Sequence, residues 1–289
     1  MNRRELLKQT AALGLTAAAP HAVEAQNTSP APAGGVPVAF VISKDAEVMD
    51  FAGPWEVFQS VWVKDKPFFS LYTVAQTKVP VAVGGGMKIL PDYTFKTAPA
   101  PKLIVIPAQG GQTLEMIEWI RRASKTTDIT MSVCNGSFIL AKTGLLNGKS
   151  AAAHHGGYFA LAASYPEVHV KRGARWVDEG RIMSAGGISS GIDLALHVVE
   201  KYCGRRQAED AVNAMEYQGQ GWLHADANDS YKKVNLGTEE HPICPVCQSD
   251  ADKNIKSVYK GRTYYFCSKN CKDLFDKHPE LVDQFLVRA

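Results

Sequence analysis

Short runs of consecutive apolar residues alternate with helically spaced ones through most of this chain. Residues 36–43 (VPVAFVIS), 68–75 and 102–107 (KLIVIP) are mainly apolar and of strand length, the pattern of strands covered on both faces. Residues 114–124 place Met116, Ile117 and Ile120 on one helical face, and residues 129–133 read as another buried strand. Beyond them come an extended stretch at 150–154, a helix at 158–163 and a hairpin-like pair, 174–178 and 181–185, around Glu179-Gly180. Helices at 191–202 and 207–217 complete the series, and Pro54 suits the first turn of a helix near the start. The alternation predicts an α/β fold, a mostly parallel sheet sandwiched by helices. In such folds the site lies outside the carboxyl ends of the strands.

The periodicity fails at both ends. Residues 1–25 begin with paired arginines (Arg3, Arg4), continue through a weakly apolar run and end in Val23-Glu24-Ala25, a cleavage-like site. This resembles a twin-arginine signal peptide and implies a periplasmic protein. Residues 26–35 form a linker rich in Ala, Pro, Ser and Gly. The main domain spans 36–218, residues 219–240 lack apolar periodicity and read as a second linker, and 241–289 hold four of the six cysteines. No apolar run reaches the roughly 20 residues a membrane span needs. A net charge of +3 on 289 residues argues against nucleic acid as the main partner.

Candidate chemistry concentrates at ITMSVCNGSFIL, residues 129–140. Cys134 follows a strand and precedes a helix, a nucleophile-elbow arrangement that exposes the side chain and aims unpaired N–H groups at it. Such surroundings favour thiolate, so alkylation of Cys134 well below pH 8 is expected.

Three segments in order, MDFAGPWEVF (49–58), SVCNGSFILAKTGLLNGK (132–149) and SAGGISSGIDLALHVVEKYCG (184–204), resemble the ThiJ/PfpI superfamily, of class I glutamine amidotransferase-like fold. The branch is the one that contains isonitrile hydratase. The resemblance implies a small-molecule substrate, no cofactor in this domain, and Cys134 as nucleophile. It also implies a carboxylate, Asp50, beside the thiol, and a histidine, His154, after the next strand, with His155 the weaker candidate. Asp50 could take the thiol's proton, donate one to the thiolate, or cap the helix near Pro54; the residues leave these open. Asn135 stands where the branch usually has Thr, and Pro107-Ala108-Gln109-Gly110-Gly111 where the family has Pro-Gly-Gly. Backbone N–H groups near Gly110 and at Asn135 are the candidate oxyanion donors. A homodimer follows by analogy alone.

In the tail, Cys244 and Cys247 (CxxC) are followed, after 19 intervening residues, by Cys267 and Cys271 (CxxxC), close to structural-zinc spacing. With Tyr264-Tyr265-Phe266-Cys267-Ser268 and Cys271-Lys272-Asp273-Leu274-Phe275, the segment resembles the YHS/TRASH heavy-metal-binding domain, a small cysteine-rich α+β module. Four thiolates form a soft site suited to zinc first, or to monovalent copper. In an oxidising compartment the same cysteines could form disulfides instead. Two readings of the whole chain stay open: a cysteine-dependent enzyme joined to a metal-binding module, or a non-catalytic metal- or redox-sensing protein.

Overall fold

The computed structural model describes residues 34–285, so the signal-peptide expectation lies outside the described residues. A seven-stranded sheet organises the main domain. Its strands are β1 (Val36–Val41), β2 (Phe69–Ala75), β3 (Tyr93–Thr94), β4 (Leu103–Ile106), β5 (Ile129–Val133), β6 (Trp176–Glu179) and β7 (Ile182–Ala185), in spatial order β6-β7-β5-β4-β1-β2-β3. All neighbours are parallel except the β6/β7 hairpin. Along β1, Val38 and Phe40 enter one apolar cluster while Ala39 and Val41 enter a second. An uninterrupted apolar run is what a strand buried on both faces requires.

The first face is covered by α1 (Val48–Gln59), α5 (Ser190–Cys203) and α6 (Arg205–Ala214), through residues such as Val57, Phe58, Leu194 and Val198. The second is covered by α2 (Leu114–Ala123), α3 (Gly136–Lys142) and α4 (Tyr158–Ser164), through Met116, Ile120, Ile139, Leu140 and Leu161. Thr113 caps α2, its side chain accepting the Met116 N–H. Because β1, β4, β5 and β7 run parallel, the loops after Val41, Ile106, Val133 and Ala185 all emerge at one sheet edge.

Helix α1 begins at Val48, earlier than Pro54 suggested, with Glu47 as N-cap. Pro54 therefore sits inside the helix, and lacking an N–H it cannot donate to the Asp50 carbonyl one turn back. Asp50 lies within the first turn, so helix capping is not its role.

The segment between the main domain and the tail is held by Trp222, buried in the first apolar cluster, and by polar contacts. The Arg175 N–H donates to the Ala225 carbonyl (2.5 Å), the Asn228 N–H to Gly173 (3.1 Å), and the Trp176 indole to Gly221 (3.0 Å). The tail follows as an antiparallel hairpin, β8 (Asp252–Tyr259) and β9 (Arg262–Phe266), with α7 (Lys269–Lys277) and α8 (Leu281–Phe285). Its apolar cluster joins Cys244, Val246, Tyr264, Phe266, Phe275 and Val282 to Phe159 of α4, whose ring stacks on Phe275 at 6.0 Å. No helix among the described residues is long and apolar enough to cross a membrane.

Candidate active site and metal centre

Cys134 occupies the turn between β5 and α3 with φ +58°, a left-handed conformation that costs a non-glycine residue energy and marks a strained elbow. Its N–H is held by the carbonyls of Gly186 (2.9 Å) and Ala185 (3.2 Å) at the end of β7. Gly136 is required next: a Cβ there would meet the Ile106 carbonyl oxygen at 2.2 Å, so only glycine lets α3 start against β4. The backbone N–H groups that hydrogen-bond the sulfur are those of Asn135 and Ile188. Ile188 escaped the sequence reading, although the Gly186-Gly187 pair before α5 is the kind of signal that marks a close turn.

Asp50 is fully buried beside the sulfur. Its Oδ2 accepts the Ala108 N–H at 2.9 Å, while its Oδ1 is buried without a hydrogen-bond partner. Burial, with Glu47 nearby, raises its pKa to about 7 against the opposing hydrogen bonds from Ala108 and Cys134. Burial, followed by the Asp50 charge, likewise pushes the Cys134 thiol up to about 11 and outweighs the amides of Ile188 and Asn135. The expected thiolate is thus not the resting form. The pair holds its proton on sulfur beside a carboxyl group that exchanges protons near neutrality, which suits Asp50 to act as a base.

The Asn135 side chain packs beside Gly157 and Phe138. Gly110 lies against Lys44 and Asp45, its carbonyl accepting the Ser43 hydroxyl (2.5 Å). The Ser43 N–H donates to Gln109 Oε1 (2.6 Å), which also lies 2.9 Å from the Ser43 hydroxyl oxygen, so this loop is fastened to the end of β1. His154 accepts the Gly156 N–H on Nδ1 (3.1 Å), which places the neutral ring's proton on Nε2. Its ring rests on Gly187, where a Cβ would meet Cδ2 at 2.7 Å. Burial lowers the pKa of His154; burial, His154 and Arg172 lower that of His155. Both rings border a cleft of ≈ 200 Å³ that also touches Ile188, Arg175, Asn228 and Tyr231.

In the tail, the sulfurs of Cys244, Cys247, Cys267 and Cys271 lie within 4.8 Å of one another. Cys247 and Cys267 are 3.2 Å apart and Cys267 and Cys271 3.5 Å, all four as free thiols. Four sulfurs about 2.3 Å from a tetrahedral ion stand roughly 3.8 Å apart, so the cluster fits a soft metal ion with small adjustments. The Cys247 carbonyl reaches the main domain, where a Cβ on Gly156 would meet it at 2.6 Å.

Residues 36–201 match the DJ-1/PfpI family, more than half of the chain. The chain belongs to the DJ-1/PfpI family. A YHS domain follows at 243–281. Among relatives, isonitrile hydratase of Pseudomonas putida is 29% identical over 185 residues, which cover 62% of this chain and 78% of that enzyme. The HTH-type transcriptional regulator CdhR of Pseudomonas aeruginosa is 30% identical over 134 residues, 45% of this chain and 39% of the regulator. Among solved structures, a ThiJ/PfpI family protein from Pseudomonas syringae has 27% identity and a TM-score of 0.58, covering 70% of this chain and 83% of its own. The DJ-1/PfpI domain thus occurs both in an enzyme and in regulators.

Proposed function

We propose that this DJ-1/PfpI protein is an exported hydratase that adds water to small isonitriles at Cys134, with a zinc-stabilised YHS tail. The observation that carries the proposal is the buried Cys134–Asp50 pair on the strained elbow. The relationship to isonitrile hydratase supplies the substrate class. In the proposed cycle Asp50 takes the thiol proton as sulfur attacks the terminal isonitrile carbon, and that proton passes to the same carbon to give a thioimidate. Water then adds to this carbon while the nitrogen gains a proton, and expulsion of the thiol releases an N-substituted formamide. The N–H groups of Asn135 and Ile188 bear on the sulfur, where negative charge appears as the thiol gives up its proton and again as it is expelled. In the tail, Cys244, Cys247, Cys267 and Cys271 would hold zinc as a structural ion, since four thiolates leave no open position.

Formamide production from methyl isonitrile, followed by NMR, tests the assignment. Cys134→Ala is expected to lower the rate at least about 10³-fold while leaving the circular dichroism spectrum unchanged. Equal rates for the two proteins would remove Cys134 from the reaction. Export rests on Arg3-Arg4. Replacing both with Lys is expected to keep the protein in the cytoplasm, and continued cleavage and periplasmic recovery would refute the twin-arginine route.

A second reading, a sensor in which Cys134 or the tail reports on oxidants or metal, is favoured by the regulators that share the domain. Absence of turnover with any isonitrile, together with reversible oxidation of Cys134 by peroxide, would select it.

A further inference from the structure

The cleft at the Ile188 turn is completed by residues from outside the matched family region. Tyr231 and Asn228 belong to the connecting segment, beyond residue 201, yet both line the cleft with His154, His155 and Ile188. Their placement is fixed by hydrogen bonds. Arg175 Nη1 donates to Asn228 Oδ1 (3.3 Å), Arg172 Nε to the Lys232 carbonyl (2.7 Å), and Arg172 Nη2 to the Tyr231 carbonyl (3.4 Å). The Tyr231 ring, 45% exposed, stacks on His155 at 4.5 Å and 21°, and His155 lies 4.1 Å from His154.

The cleft and the sulfur share one turn. The Gly186 carbonyl takes the Cys134 N–H, Gly187 carries the His154 ring, and Ile188 both lines the cleft and turns its N–H to the sulfur. Cys134 does not itself line the cleft; Ile188 is the residue that joins the sulfur to it. Arg175 gives little pull on an acid, because its guanidinium is already bound to Asp193 (2.5 Å), Ser189 and Asn228. Besides Ser189 and Asn228, which accept from Arg175, the lining is the rings of His154, His155, Tyr158 and Tyr231 and the Ile188 side chain, a surface for an uncharged, flat group.

On the reading that neutral electrophiles react at Cys134, we propose that Tyr231 is a specificity-determining residue, its ring with His155 selecting substrates that carry an aryl substituent. The connecting segment is then part of the active site.

The test uses the full-length protein and two haloacetamides, iodoacetamide and N-benzyl-iodoacetamide, at pH 9, with alkylation of the Cys134 peptide followed by mass spectrometry. The wild-type benzyl-to-unsubstituted rate ratio is expected to fall about 3- to 10-fold in Tyr231→Ala, the range of one aromatic contact. Tyr231→Phe is expected to keep it. An unchanged ratio in Tyr231→Ala overturns the proposal, as does an equal fall in Tyr231→Phe, which would assign the effect to the hydroxyl. Phenyl and methyl isonitrile, assayed in parallel, should show the same change in their kcat/KM ratio. If neither isonitrile is turned over, the hydratase reading fails while the alkylation ratios still decide the role of Tyr231.

Discussion

Asp50→Asn is expected to make the protein more stable above pH 7 while removing its turnover. The folded-state pKa of Asp50 is raised to about 7, against about 3.9 in an unfolded chain. A group raised in this way contributes stability that is fully present below about pH 4 and is lost as pH rises through 7, because the native state must then hold a buried charge. Three pH units correspond to about 4 kcal/mol. Asparagine keeps the shape, can still accept the Ala108 N–H, and does not ionise. At pH 8 the variant should therefore gain up to about 4 kcal/mol, a rise in melting temperature of roughly 10 °C, and at pH 4.5 the two proteins should differ little. Removing the carboxylate also removes a charge that holds the Cys134 thiol high, so alkylation at pH 9 should become faster. Thermal melts at the two pH values decide the matter: parallel pH dependence in both proteins would mean that Asp50 is ionised throughout.

Cys267→Ser is expected to abolish metal binding and unfold the tail. Cys267 lies between Cys247 and Cys271, so its loss opens the centre of the cluster. Binding at structural four-cysteine and related sites is worth on the order of 10 kcal/mol near neutral pH, as much as the whole stability of many domains. The wild-type protein should contain one ion per chain by elemental analysis. After chelation, amide exchange should accelerate through β8 and β9 while β1 and β4 stay protected. Turnover should fall too, since the Cys247 carbonyl abuts Gly156, whose N–H fixes the proton of His154. Native protein with two disulfides and no metal would contradict the prediction, and unchanged turnover after chelation would make the tail independent of the site.

Strands β1, β2, β4 and β5 and helices α2, α4 and α5 were readable within a residue or two, because burial on two faces and 3.6-residue spacing leave direct marks on sequence. The start of α1 was hidden by Pro54, which ordinarily marks a first turn and here lies inside the helix. Thiol acidity was misjudged for a different reason. Local sequence displays the elbow and its amides, but the burial of Cys134 and the charge of Asp50, 84 positions away, arise only on folding. The connecting segment carries no hydrophobic period because its fastening combines one buried ring, Trp222, with polar contacts through Arg172, Arg175 and Trp176. The same limit hid Ile188 and Tyr231.

Phe159, shared between α4 and the tail's cluster, also bears on how such a chain can be recombined. A crossover at residue 218 looks harmless from composition, since it falls between two recognisable units. It would nevertheless strip Phe275 of its stacking partner in one product and uncover Phe159, now 1% exposed, in the other. A viable chimera has to keep on α4 an apolar surface that matches the tail, so the tail's packing depends on sequence that ordinary domain boundaries place in the main domain.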